Sequence, residues 1–122
     1  MPSGRDRSGM ARPRVELRWW AGCPSTHSAL SELREALNDL GMADVEVEMH
    51  EIRSDDEAGE ASFHGSPTVL IDGIDCVDAS DEPTGLCCRV YRRRDGRIGP
   101  TPDPEDLRAA LRLAAERLEA VG

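Results

Sequence analysis

Two periods alternate along the first fifty residues, and their order limits the fold more than any other feature of the chain. Val15, Leu17 and Trp19 alternate with Glu16, Arg18 and Trp20, the two-residue repeat of a strand. Ala21 and Gly22 break it. From Ser25 the apolar residues Ala29, Leu30, Leu33, Ala36, Leu37 and Leu40 recur at three and four positions, the stripe of an amphipathic helix that Gly41 stops. The two-residue period then returns over 45–52, with Val45, Val47 and Met49 against Glu46, Glu48 and His50. A strand, a helix and a strand at this spacing predict a crossover unit with parallel strands. With 122 residues, the chain has room for one domain.

Beyond that unit the signals shorten. Residues 53–64 are polar, with a weak helix expected over 56–63. Ser66-Pro67-Thr68 opens the apolar run Val69-Leu70-Ile71, which Asp72-Gly73 closes, so a central strand ending in a turn is predicted. Residues 74–85 have no period and read as a loop. Alternation resumes over 86–93, with Leu86, Cys88 and Val90 expected inward and Cys87, Arg89 and Tyr91 outward, and Asp95-Gly96 turns the chain into Arg97-Ile98-Gly99. Asp103 and Pro104 start a last helix, striped by Leu107, Ala110, Leu111, Ala114, Leu118 and Val121. The prediction is an α/β fold in the order βαβ-ββα, a mixed four-stranded sheet flanked by helices.

Residues 1–14 stand apart. They carry four arginines, one aspartate and no hydrophobic period, and are expected to be a disordered basic arm before a domain over 15–122. No apolar run begins the chain, so neither a signal peptide nor a membrane span is expected, and the cytoplasm is the predicted location. A net charge of -9 argues against nucleic acid as a partner. Phosphate-binding glycine loops, His-Glu-x-x-His and Gly-x-Ser-x-Gly are all missing from the sequence, which removes support for nucleotide, zinc-protease and serine-hydrolase readings.

The four cysteines, Cys23, Cys76, Cys87 and Cys88, carry what chemistry the sequence shows. In a reducing compartment they point to catalysis, metal binding or packing rather than to two structural disulfides. Cys23 lies between the first strand and the first helix with Pro24 after it, and proline favours the first helical position. That places Cys23 at the N-cap, where the amides of Ser25 and Thr26 and the helix dipole would favour a thiolate. Neighbouring strand residues point to opposite faces, so of Cys87 and Cys88 only one is expected toward a given partner. His27 stands one helical turn after Cys23, Cys76 sits in the acidic loop, and Arg89, Arg92, Arg93, Arg94 and Arg97 form a basic cluster on the expected hairpin.

Trp20-Ala21-Gly22-Cys23-Pro24-Ser25-Thr26 after a strand, Ser66-Pro67-Thr68 before the next core strand, and a run through Gly99 into a final helix together resemble the thioredoxin-like superfamily. The resemblance spans Val15 to about Val121. It implies a thioredoxin-like fold with Cys23 as nucleophile, a cis Ser66-Pro67 bond with Pro67 packed against Cys23, and thiol/disulfide or persulfide exchange. Thr26 occupies the place where dithiol members carry the resolving cysteine. Resolution would then fall to a small thiol or to Cys88, Cys87 or Cys76.

A narrower resemblance is carried by Cys23-Pro24, Gly65 to Gly73 and Gly85 to Tyr91. These blocks are similar to short actinobacterial-type thioredoxin-like proteins often labelled alkylmercury lyase, whose pattern Cys88 matches and in which Cys87 is extra. It implies a second function, a soft-metal or organomercurial site in which Cys23, Cys87 and Cys88 hold mercury, copper or zinc through thiolates. A third expectation is a noncatalytic interaction domain. Partners on the first reading are a small thiol or disulfide, or a protein thiol; oligomeric state has no sequence signal.

Overall fold

The structure, a computed structural model, describes residues 12–79 and 81–121. Most of the expected arm lies outside them. Its last residues do not hang free: Arg14 N–H donates to Asp72 and its guanidinium pairs with Glu48, which ties residues 12–14 to the domain.

β1 (Val15–Trp19) and β2 (Val47–Glu51) run parallel, joined by α1 (Thr26–Asp39), as the alternating periods predict. α2 (Asp55–Glu60) follows, capped by the Ser54 hydroxyl, which accepts from Glu57 N–H. β3 (Thr68–Ile71) returns antiparallel to β1 and turns through Asp72-Gly73 into β4 (Ile74–Asp75). Both turn residues have positive φ, Asp72 at 53° and Gly73 at 80°. The result is a mixed four-stranded sheet in the order β2-β1-β3-β4. β5 (Tyr91–Arg92) and β6 (Ile98–Gly99) form a separate two-stranded ribbon, and α3 (Pro104–Val121) closes the chain. Asp103 accepts N–H groups from Glu105 and Arg94, so the cap of α3 also holds the ribbon.

The main core fills one face of the sheet. Val15, Leu17, Val69 and Ile71 meet Ala29, Leu33, Ala36 and Leu37 of α1 and Leu107, Leu111, Ala114 and Ala115 of α3. On the opposite face of β1, Glu16 is buried beside Arg18 and His50, and the Arg18 guanidinium reaches the Ala61 carbonyl just past α2. A smaller cluster of Ile52, Ala58 and Phe63 packs against Trp20 and Leu86.

Three expectations need correction. The fourth strand of the sheet is β4, where a loop was expected, and residues 86–93 leave the sheet apart from one bridge. Two-residue strands are too short to show a period. The facing of 88–91 differs from that expected: Arg89 and Tyr91 are buried, while Val90 is 66% exposed and Cys88 is exposed; Leu86 packs against the smaller core and Cys87 is exposed, as expected. Arg89 goes inward because its charge is met there by Asp75, the Thr68 hydroxyl and the Val77 carbonyl, so the expected basic cluster loses its first member. Finally, α1 is capped at Ser25 and not at Cys23.

Candidate active site

The turn after β1 places Cys23. Its N–H donates to the Trp20 carbonyl at 3.0 Å, which uses residues 20–23 as a turn and delays the helix to Thr26. The Trp20 ring covers Gly22 so closely that a Cβ there would lie 2.4 Å from it. Cys23 is therefore 7% exposed, and its sulfur does not cap α1; the thiol donates to the Ser66 carbonyl at 3.3 Å. The first turn of α1 carries no acidic residue to neutralise its positive end.

Ser66 is the centre of the site. Its bond to Pro67 is cis, as the resemblance implies, and both residues are buried. Trp20 N–H donates to the Ser66 hydroxyl at 3.0 Å, which fastens the end of β1 to the segment before β3. On its other side Ser66 forms a parallel bridge with Cys88. Its N–H donates to the Cys87 carbonyl and its carbonyl accepts from Arg89 N–H, both at 2.8 Å. Flanking residues of a bridged segment point the opposite way from the one between them. Cys88 accordingly meets Cys23, whereas the Cys87 thiol turns to the Gly85 carbonyl at 3.7 Å. Loss of solvent pushes the Cys88 thiol up, and the hydrogen bond with Cys23 and the charges of Cys23 and Cys87 push it the same way.

Arg89 anchors this segment. Its guanidinium, with the side chain 5% exposed, binds Asp75 at 2.8 Å and Thr68 at 3.1 Å and lies over the Tyr91 ring, 4.6 Å from the centroid. The Tyr91 hydroxyl donates to the Pro67 carbonyl. Gly65 makes the close approach possible: at φ +122°, a Cβ on it would come within 3.0 Å of Arg89 Cβ.

Of the residues singled out in the sequence, Cys23 and Cys88 both meet Ser66, which Pro67 follows. Thr26 opens α1, and its hydroxyl is buried without a hydrogen-bond partner. Cys87 is displaced to the outer side of the bridge, and His27 is exposed. Cys76 lies in a groove with Ile71, Asp106 and Leu113, and burial and the Asp75 charge push its thiol up to about 12. Among the described residues no three His, Cys, Asp or Glu side chains gather as a metal group. Ser66, Arg89, Asp75 and Tyr91 were not singled out as site residues; the sequence signals were Gly65-Ser66-Pro67 and an arginine directly after two cysteines. None of the described helices is long and apolar enough to cross a membrane. Comparison of the chain with protein-family models, curated proteins and solved structures returns no match.

Proposed function

We propose that the chain is a thioredoxin-like thiol protein that exchanges disulfides through Cys23, with Cys88 as the resolving thiol. The observation that carries this reading is the convergence of both cysteines on Ser66 beside its cis bond to Pro67: the Cys23 thiol donates to the Ser66 carbonyl and Cys88 bridges Ser66, with both cysteines free. The sheet order and the position of Cys23 after β1 support the thioredoxin-like assignment. Four free thiols suit a reducing compartment such as the cytoplasm.

The chemistry balances within the pair. Deprotonated Cys23 attacks one sulfur of a disulfide RS–SR; that bond breaks, a Cys23–SR mixed disulfide forms, and the thiolate leaving takes a proton from water. Cys88 then loses its proton to water and attacks the Cys23 sulfur, expelling the second RS⁻. The substrate gains two electrons and becomes two thiols, while the protein dithiol becomes a Cys23–Cys88 disulfide. Loss of solvent, then the hydrogen bond and charge of Cys23, push the Cys88 thiol up.

The test is trapping. Reduced wild type treated with a low-molecular-weight disulfide should yield a Cys23–Cys88 cross-link in peptide mass mapping. Cys88→Ser should stop at the mixed disulfide on Cys23, and Cys23→Ser should give neither. Wild-type kinetics in Cys88→Ser, or a Cys76 cross-link in wild type, would overturn the assignment. A second reading keeps one point in its favour: two adjacent thiols form a linear donor pair for a soft ion. Stoichiometric mercury(II) binding lost in either Cys23→Ser or Cys88→Ser, without disulfide exchange, would select it.

A further inference from the structure

The backbone beside the Cys23 sulfur is already occupied by the chain itself. Gly65 O accepts from the Thr68 hydroxyl at 2.6 Å, Ser66 N–H donates to Cys87 O, and Ser66 O accepts from both Arg89 N–H and the Cys23 thiol. Pro67 has no N–H, and its carbonyl accepts from the Tyr91 hydroxyl. An extended polypeptide is commonly held by adding main-chain hydrogen bonds to an open strand edge. Here residues 87–89 fill that edge, as an internal stand-in for such a peptide, with Cys88 at the position facing the nucleophile.

This occupant is not loosely placed. Arg89 pins it through Asp75, Thr68 and Val77, and the contact with Gly65 is so close that a Cβ there would lie 3.2 Å from the Arg89 backbone nitrogen. Cys23 itself is only 7% exposed, and its thiol is bonded to the Ser66 carbonyl that residues 87–89 also cover. Next to Cys88 a cleft of about 390 Å³ opens, lined among others by His64, Asp78, Glu82, Cys87 and Arg92, a size that suits a small molecule.

Building on the thiol-exchange reading, we infer that the substrate is a low-molecular-weight disulfide and not a cystine within a polypeptide chain. A peptide disulfide would have to reach Cys23 without main-chain docking, or displace residues 87–89 and the resolving thiol with them. A small disulfide needs neither.

The experiment compares two probes on reduced wild-type protein: hydroxyethyl disulfide, and a dimer of an unstructured peptide joined by one cystine. Each rate is divided by the rate of the same probe with N-acetylcysteine, which removes intrinsic reactivity. The normalised rate for the small disulfide should exceed that for the peptide by about tenfold, the cost of opening one of the Ser66 backbone hydrogen bonds to residues 87–89 to admit the longer chain. Amide hydrogen exchange in the free protein should show Ser66 and Arg89 protected, and saturating peptide should leave that protection unchanged. Equal or faster reaction of the peptide, or rapid exchange at Arg89 in the free protein, overturns the substrate class while leaving thiol exchange intact. No reaction of Cys23 with either probe overturns the exchange reading and this inference together.

Discussion

Breaking the Arg89–Asp75 pair should weaken the whole fold and not only the segment that carries Cys88. The pair lies 2.8 Å apart, with side chains 5% and 20% exposed. Removing one partner from a buried pair costs roughly 3–5 kcal/mol, because the other charge is left without compensation. Asp75 retains some access to water, so Arg89→Met should fall at the lower end, about 3 kcal/mol. Asp75→Asn keeps an acceptor near the guanidinium, and Thr68 and Val77 still bind it, so about 2 kcal/mol is expected there. The double variant should lose less than the sum, with a coupling of at least about 1 kcal/mol. Urea unfolding under strong reductant reads all three values without any contribution from a disulfide, and the slope of each transition checks that unfolding stays two-state. Single losses below about 1 kcal/mol with no coupling would show that the pair does not anchor residues 87–89, and the account of how Cys88 is held would be refuted.

Gly65→Ala should destabilise by about 1–3 kcal/mol, from an alanine forced to φ +122° against Arg89, and should slow formation of the Cys23–Cys88 cross-link more than the first attack at Cys23. Alkylation mapping at pH 8 should label Cys87 early and Cys76 last, since the Cys76 thiol is pushed up to about 12; in Cys23→Ala the loss of the hydrogen bond and charge that raise Cys88 should speed its alkylation at the same pH. Acid should unfold the protein partly through Glu16. Burial pushes its carboxyl up, but hydrogen bonds from Arg18 and His50 outweigh this and leave it below its ordinary 4.5, so its contribution is complete above that value and lost as pH falls through the lowered one. Glu16→Gln should accordingly flatten the acid limb of a stability-against-pH curve, and an unchanged limb would reject the assignment.

How legible the fold was depended on element length. β1, α1 and β2 are long enough for their periods to show, and α3 announces itself through Asp103-Pro104 and a regular stripe. β4, β5 and β6 have two residues each, too few for any period. The departure at 88–91 has a different origin. Hydropathy places an arginine outward, and its inward turn depends on Asp75, fourteen positions earlier in a stretch without pattern. The position of Cys23 after β1 was readable from Gly22 and Pro24, but not its hydrogen bond: proline's preference for the first helical position favoured Cys23 as the cap, whereas the Trp20–Cys23 turn uses its amide first. The choice between Cys87 and Cys88 follows from strand alternation once Ser66 is known as the bridge partner, and that pairing is tertiary information.

The bridge also bears on which ions the site suits if it binds one. Strand alternation gives Ser66 one inward neighbour from residues 87–89, so the sequence Cys87-Cys88 supplies one thiol to Cys23 and sends the other away. A structural zinc needs four donors in a tetrahedron, and no group of three His, Cys, Asp or Glu side chains gathers among the described residues. Two thiolates alone suit either a two-coordinate soft ion or a sulfur–sulfur bond. The two uses ask different things of Cys88. A metal site requires both thiols deprotonated together, which the raised Cys88 thiol opposes. Exchange requires them to ionise in turn, first the attacking sulfur and then the resolving one, and a resolving thiol held protonated beside the nucleophile fits that order. On the exchange reading proposed above the pair closes as a sulfur–sulfur bond, on the metal reading it holds a two-coordinate ion, and the Cys23→Ser and Cys88→Ser variants separate the two.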